Sequence, residues 1–262
     1  MFQLAQRTAE MAGKLLMRNF GSPQRVDHKG EVDLVTEIDR RSERAIVEAI
    51  RSVFPDHPIL TEEGMGQDGG DPFRWIVDPL DGTTNYVHGY PCFSVSIALE
   101  SEGEIILGVI YNPVLGEMFA ARRGQGTTLN GKKVAVSPTE RLTNSLLATG
   151  FPYDIRRSQA NNLDHFSQFA FRAQAIRRAG SAALDLCYVA AGRFDGFWEM
   201  KLAPWDVAAG SLMVTEAGGL VSDFCGGPFR IDGREILASN GRIHSQMIEV
   251  LRADKARHRS RR

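Results

Sequence analysis

The sequence predicts a layered α and β protein, and its changing periodicity is the reason. Amphipathic helical segments open the chain, short β-rich segments follow, and the second half alternates helical with extended stretches.

Residues 2–20 place Leu4, Met11, Leu15, Leu16 and Phe20 near helical spacing, and Gly21-Ser22-Pro23 ends the pattern. The polar stretch VDHKGEVD reads as a loop. A second amphipathic helix is expected over 39–54, with Ile46, Val47, Ile50 and Phe54 on one face and Arg and Glu on the other. Pro55 stops it. Then the period shortens. Ile59-Leu60, 75–77, 93–99, 105–111 and 117–121 are apolar runs bounded by Gly, Pro and Asp, which reads as strands. Asn130-Gly131 between TTL and KKVAV predicts a two-residue hairpin. Residues 146–149 form a further strand. Helices are expected over 161–174, 181–191, 205–217 and 244–252, interleaved with strands near 194–199, 220–222 and 236–238. The basic tail KARHRSRR reads as disordered and solubilising.

Composition narrows the function classes. The 262 residues are 43% apolar and 24% charged with a net charge of −1, so neither a nucleic-acid-binding basic field nor an acidic disordered chain is implied. Cys92, Cys187 and Cys225 show no C-x-x-C pairing, so neither a disulfide framework nor a zinc site is expected, as suits a reducing cytoplasm. MFQLAQRTAE lacks a basic region leading into an apolar run, so no signal peptide is expected. No apolar run approaches the ~18 residues of a membrane span.

The most informative segment is WIVDPLDGTTNYVHG. A buried-type strand runs into Asp78-Pro79-Leu80-Asp81-Gly82-Thr83, which is expected to bring both acids to a tight turn at the sheet's edge. Pro79 restricts φ, and Gly82 lets backbone approach a ligand closely. The amides of Gly82-Thr83-Thr84 then open a helix N-terminus, which favours an anion such as phosphate. Paired acids beside an anion-binding turn are costly unless cations sit between them, and hard oxygen ligands of this kind suit Mg²⁺. A polar turn with an Asp cap is the bland alternative. Thr61-Glu62-Glu63-Gly64 adds a second acidic pair after an apolar strand. Pro204-Trp205-Asp206 opens an apolar helix with an acid near its first or second position.

Taken together, VDLVTEIDRRSE, TEEG, WIVDPLDGTTNYVHG, GSAALDLCYVAAG and PWDVAAGSLMVTEAGG resemble the inositol monophosphatases in order, content and spacing. The likeness runs from about residue 33 to 219 and is nearest to bacterial members of the SuhB type. It implies a five-layer α/β/α/β/α sandwich. Residues 1–140 would form an N-terminal half carrying most metal ligands, and 141–262 a C-terminal half completing the site. Glu62, Asp78 and the Leu80 carbonyl would hold one Mg²⁺, and Asp78, Asp81 and Asp206 another, with Asp78 bridging and a weaker third ion near the loop around Lys29. Thr83, hydrogen-bonded to Asp39, would position and deprotonate the attacking water. Gly82 and Thr83 would bind phosphate, with Glu62, Asp81 and Asp206 also at the substrate. Gly180, Ser181, Ala182, Glu199 and Arg177 would face the alcohol.

The implied activity is Mg²⁺-dependent, lithium-sensitive hydrolysis of myo-inositol 1-phosphate by a cytoplasmic homodimer. Alternatives on the same fold act on fructose 1,6-bisphosphate, histidinol phosphate or a 3′-phosphonucleotide. SuhB-type relatives also act as binding partners in ribosomal RNA transcription, which adds a possible transcription-machinery partner. Other motifs are set aside. GTTLNGKK nearly spells a P-loop, but it ends in Lys133 and runs into a strand pattern where a P-loop requires a helix. The histidines show no metal-ligand spacing, and His88 reads as a supporting or surface residue.

Overall fold

Strands that are apolar at nearly every position must be covered on both faces, and residues 75–77 and 93–99 have that character. In the computed structural model, which describes residues 1–22, 26–28, 34–66 and 72–259, both runs are covered on each side. They belong to β4 (Phe73–Asp81) and β5 (Ser94–Ser101) of a seven-stranded sheet. β3 (Ile59–Thr61) precedes them, and β6 (Glu104–Asn112), β7 (Glu117–Arg122), β8 (Gly126–Leu129) and β9 (Lys132–Val134) follow in sequence order. Only β3 and β4 pair in parallel in this sheet.

α1 (Phe2–Asn19) and α2 (Glu37–Arg51) cover one face of that sheet. α5 (Ala182–Ala190) and α6 (Pro204–Glu216) cover the other. Beyond them lies a five-stranded sheet in the order β11-β10-β12-β14-β13. Its strands are β10 (Leu146–Thr149), β11 (Ala175–Arg177), β12 (Gly196–Met200), β13 (Leu220–Ser222) and β14 (Glu235–Ser239). α4 (Leu163–Ala170) and α7 (His244–Arg259) close its outer face, and a short α3 (Thr83–Val87) follows β4.

The period-2 alternation of strands sorts side chains among three cores. In β4, Trp75 and Val77 pack with α1 and α2, while Ile76 packs with α5 and α6. In β12, Phe197 faces the same middle helices, and Trp198 faces α4 and α7. The layers therefore run α/β/α/β/α, as expected, with α5 and α6 shared by both sheets. The chain passes from one sheet to the other between β9 and β10, the stretch in which the expected boundary at residue 140 falls.

Several elements differ from expectation. Val26–His28 of the expected loop forms β1, antiparallel to β2 (Leu34–Thr36), with Val26 opposite Thr36 and His28 opposite Leu34. α2 begins at Glu37 because Thr36, not Asp39, is its N-cap. β4 continues through both acids to Asp81 instead of ending before them. α4 is shorter than the expected 161–174, and Ala175–Arg177 just beyond that range forms a strand parallel to β10. α7 runs on to Arg259, so the first part of the basic tail is helical. The Asn130-Gly131 hairpin forms as expected, with φ of 49° and 78°, which disposes of the P-loop reading. Among the described residues, no helix is long and apolar enough to cross a membrane.

Candidate active site

In a regular strand, residues three apart point to opposite faces. Asp78 and Asp81 escape that rule because β4 is bulged between them. Asp78 pairs with Ser96 and Asp81 with Ser94, so three steps along β4 match two along β5. The extra residue restores the parity, and both acids come to one side. Pro79 lies inside the bulge, where its missing N–H forfeits no ladder bond. Its carbonyl accepts from Ser42 Oγ at 2.9 Å, and Leu80 N–H donates to Asp78 Oδ1 at 2.9 Å. β4 therefore continues through both acids, paired beyond Val77 with β5 alone, and a bulge in the strand replaces the expected tight turn.

Neighbouring elements bring the other carboxylates. Thr61 of β3 lies beside Val77, so Glu62 follows at the flank of Asp78. Glu43 of α2 is fully buried and holds this segment, accepting from Thr61 Oγ1 at 2.9 Å and from the N–H groups of Glu63 and Met65 at 2.7 Å each. Asp206 is the third residue of α6, later than expected, and its Oδ2 accepts from Ala203 N–H at 2.7 Å. The N-terminus of α5 meets Asp81: Ser181 Oγ and Ala183 N–H both donate to its Oδ2, the latter at 2.9 Å. A rule emerges. Asp78, Asp81 and Asp206 each commit one carboxylate oxygen to these anchors.

Burial, then repulsion from Glu62, Asp81 and Asp206, pushes Asp78 well above the ordinary carboxylate range. Burial likewise raises Asp81 to about 6, although Ser181 and Ala183 pull it down. Asp206 is raised by burial and then by Asp81. Among the described residues no ion pair offsets Asp78, Asp81 or Asp206. Nor does any group of three His, Cys, Asp or Glu side chains close into a cage for one ion. Glu62, Asp78, Asp81 and Asp206 nevertheless stand near enough to act on one another electrostatically. Their oxygens form a hard donor set, and a hard divalent cation such as Mg²⁺ fits it in charge and ligand type.

Behind this wall, Thr83 Oγ1 lies 2.9 Å from Asp39 Oδ1 and 3.1 Å from the Leu80 carbonyl, to either of which its proton is available. Asp39 is the third residue of α2, and its Oδ2 accepts from Thr36 N–H at 2.9 Å and from Thr36 Oγ1. Capping and contact with Thr83 are therefore divided between its oxygens. Burial raises Asp39, and the Thr36 and Thr83 bonds pull it back. Gly82, at φ 97°, precedes the short α3, and an added Cβ would stand 3.0 Å from the Cys92 carbonyl and 3.2 Å from that of Gly180. Only glycine fits there. The first N–H groups of α3 have no intrahelical acceptor until Tyr86, which reaches Gly82 O at 3.0 Å.

A cavity of about 270 Å³ opens beside these groups, lined by Glu62, Asp81, Gly82 and Asp206 and also by Gly180, Ser181, Ala182 and Glu199. Burial pushes Glu199 up to about 8, with Arg178 opposing. Arg177, expected at the alcohol, is exposed and lies outside this lining; Arg178 lines it instead, because β11 has ended and the chain has turned. Ser181 is committed by its hydroxyl to Asp81. His88 is exposed and off the cavity, and Lys29 lies outside the described residues.

Sequence reasoning missed Asp185 and Glu43, and took Arg178 only with Arg177, as a pair on a strand that could clamp an anion but is as often a solvated face. The two missed residues had a signal. Asp185 is a charge in the otherwise apolar AALDLCYVA, and Glu43 falls one turn after Asp39, on the face that α2 buries.

A profile of the inositol monophosphatase family matches residues 1–256. The chain is 44% identical over 260 residues to Nus factor SuhB of Pseudomonas aeruginosa, covering 96% of this chain and 95% of that relative. It is also 44% identical over 254 residues to inositol-1-monophosphatase of Synechocystis sp., covering 96% of this chain and 88% of the relative. The structure of the extragenic suppressor protein suhB from Bartonella henselae superposes with a TM-score of 0.91 at 43% identity, covering 95% of this chain and 97% of that one.

Two outcomes follow from the electrostatics and the anchors. Glu199 keeps its proton to about pH 8 when folded but releases it near the ordinary value of 4.5 when unfolded. Between those values the folded state binds more protons, so stability of the metal-free protein falls as pH rises. Glu199→Gln should flatten that fall in melting temperature between pH 5 and 8; an unchanged slope would place the titration elsewhere. Glu43→Gln leaves a buried N–H without its acceptor and should cost about 1.5–3 kcal/mol in urea unfolding. A change within about 0.5 kcal/mol, the range of an ordinary surface substitution, would remove Glu43 from this anchoring role.

Proposed function

The chain belongs to the inositol monophosphatase family, and from that premise we propose that this phosphatase is a Mg²⁺-dependent, lithium-sensitive enzyme that hydrolyses myo-inositol 1-phosphate. The observation that carries this reading is the bulge that turns Asp78 and Asp81 to one side, between Glu62 and Asp206. In this proposal Glu62, Asp78 and the Leu80 carbonyl would hold one Mg²⁺, and Asp78, Asp81 and Asp206 a second. Bound Mg²⁺ supplies Lewis-acid activation of water and neutralises charge on the phosphoryl and leaving oxygens. Gly82 and Thr83 N–H groups would receive the phosphate. Thr83 Oγ1, donating to Asp39 Oδ1, would accept a hydrogen bond from the attacking water and pass its own proton to Asp39 as it takes the water's. Burial makes Asp39 the stronger base for that task. Glu199 would accept hydrogen bonds from the alcohol. The proposal extends to a cytoplasmic homodimer.

A second reading rests on the relatives named Nus factor SuhB: the chain would also bind the transcription machinery. Pull-down of transcription factors from the native host tests it independently of catalysis.

Phosphate release should be measured with Mg²⁺, with and without lithium, on inositol 1-phosphate, fructose 1,6-bisphosphate, histidinol phosphate and a 3′-phosphonucleotide. Inositol 1-phosphate should lead, and millimolar lithium should inhibit. Asp78→Asn should lower kcat by roughly a thousandfold or more with the fold retained; activity above about a tenth of wild type would deny Asp78 its bridging role. Asp39→Asn presents an amide where Thr83 must donate. A kcat loss of about a hundredfold with KM little changed is expected. A silent substitution would leave Asp39 as a capping residue alone.

A further inference from the structure

We propose that Asp185 is a specificity-determining residue that, with Glu199, accepts hydrogen bonds from adjacent hydroxyls of a polyol phosphate. The inference rests on the phosphomonoesterase reading above and names how its alcohol is read.

Asp185 lies in the first turn of α5 and lines the cavity, yet only 1% of it is exposed. An acid near a helix N-terminus is favoured by the dipole, but that benefit is available at the surface and does not require burial. A buried carboxylate is normally hydrogen-bonded or paired within the protein. Asp185 is not: its buried Oδ1 receives no hydrogen bond. Glu199, 8% exposed on the same cavity wall, likewise takes no hydrogen bond among the described residues. The two acids repel one another, and Arg178 stands near enough to attract both without forming an ion pair with either. Two unsatisfied acceptors in one small cavity call for two donors from a ligand, and neighbouring hydroxyls of a polyol carry them.

The wall that holds them is fixed. Asn162 Nδ2 donates to the Gly150 carbonyl at 2.6 Å and to Thr149 Oγ1 at 2.9 Å, while its Oδ1 accepts from Trp198 Nε1 at 2.8 Å. Gly150 is thereby clamped against Glu199, whose Oε1 lies 2.1 Å from where a Cβ at position 150 would stand. The missing side chain is the space Glu199 occupies. Glu199 is therefore positioned before substrate arrives, and Asp185 is carried on the first turn of α5, which suits selection by hydroxyl contacts.

The test compares wild type, Asp185→Asn and Asp185→Ser, as full chains with Mg²⁺, on three probes. These are myo-inositol 1-phosphate, its analogue lacking the hydroxyl next to the phosphorylated carbon, and p-nitrophenyl phosphate. Both variants should raise KM for inositol 1-phosphate by about tenfold or more, with kcat little changed. On p-nitrophenyl phosphate, which has no such hydroxyl, kcat/KM should stay within about threefold. The deoxy analogue should be discriminated against by wild type and not further penalised by either variant, a comparison that holds even if one variant folds poorly. Equal losses on all probes, or no loss on any, overturn the role of Asp185. A wild-type preference for inositol 1-phosphate that survives both substitutions overturns this inference alone. Hydrolysis of p-nitrophenyl phosphate without any polyol phosphate overturns the functional reading and this inference with it.

Discussion

Several carboxylates must be buried side by side, and the rest of the structure accommodates that constraint. Removing one such charge from water costs several kcal/mol even after relaxation, and a second beside it adds repulsion. The fold responds with local donors. Asp78 receives the Leu80 N–H, Asp81 the α5 N-terminus, and Asp206 the N–H at the start of α6. Each acid is held through one oxygen, and Asp81 and Asp206 also line the cavity. Charge-assisted bonds from backbone N–H groups are strong and rigid, so the donor wall forms without an ion pair to a lysine or arginine among the described residues.

The layered architecture follows the same need. β4 approaches from the first sheet, while α5 and α6 begin where the two sheets face each other across the middle layer. Helix N-termini can converge on strand ends only if helices and strands run toward a common edge, and the shared middle layer provides this. On the far side α2 contributes twice. Asp39 backs Thr83, and Glu43, one turn later, fixes the segment carrying Glu62. One helical turn spans the two jobs because residues four apart share a face.

Much of this was legible in the sequence. The change of period at Ile59 separated helices from sheet, and Asn130-Gly131 marked its hairpin. The acids of DPLD and PWD stand where short apolar runs meet, a local pattern that survives without coordinates. The bulge was not legible. A spacing of three in a strand argues for opposite faces, and only the pairing of Asp78 with Ser96 and Asp81 with Ser94 reveals the extra residue. The expected start of α2 at Asp39 falls two residues late, because Thr36 and Asp39 are both good capping residues and which one leads depends on where β2 ends. β11 was not placed among the expected strands for a different reason: a three-residue edge strand is too short to show a period.

The same contrast explains why reaction class is easier to read than substrate. The acids at the end of β4 come from a few consecutive residues, so their chemistry is written in one place. The wall proposed to take the alcohol is assembled from Thr149-Gly150, Arg178, Asp185 and Glu199, which meet only because β10, β12 and α5 fold around one cavity. No single segment carries that pattern. What marks it is an inconsistency of environment: an acid within an apolar helix, and a glycine where Glu199 needs room. In the proposed reading, buried polar groups left unsatisfied by the protein are the physical trace of the ligand, and they become visible only when the whole chain has folded.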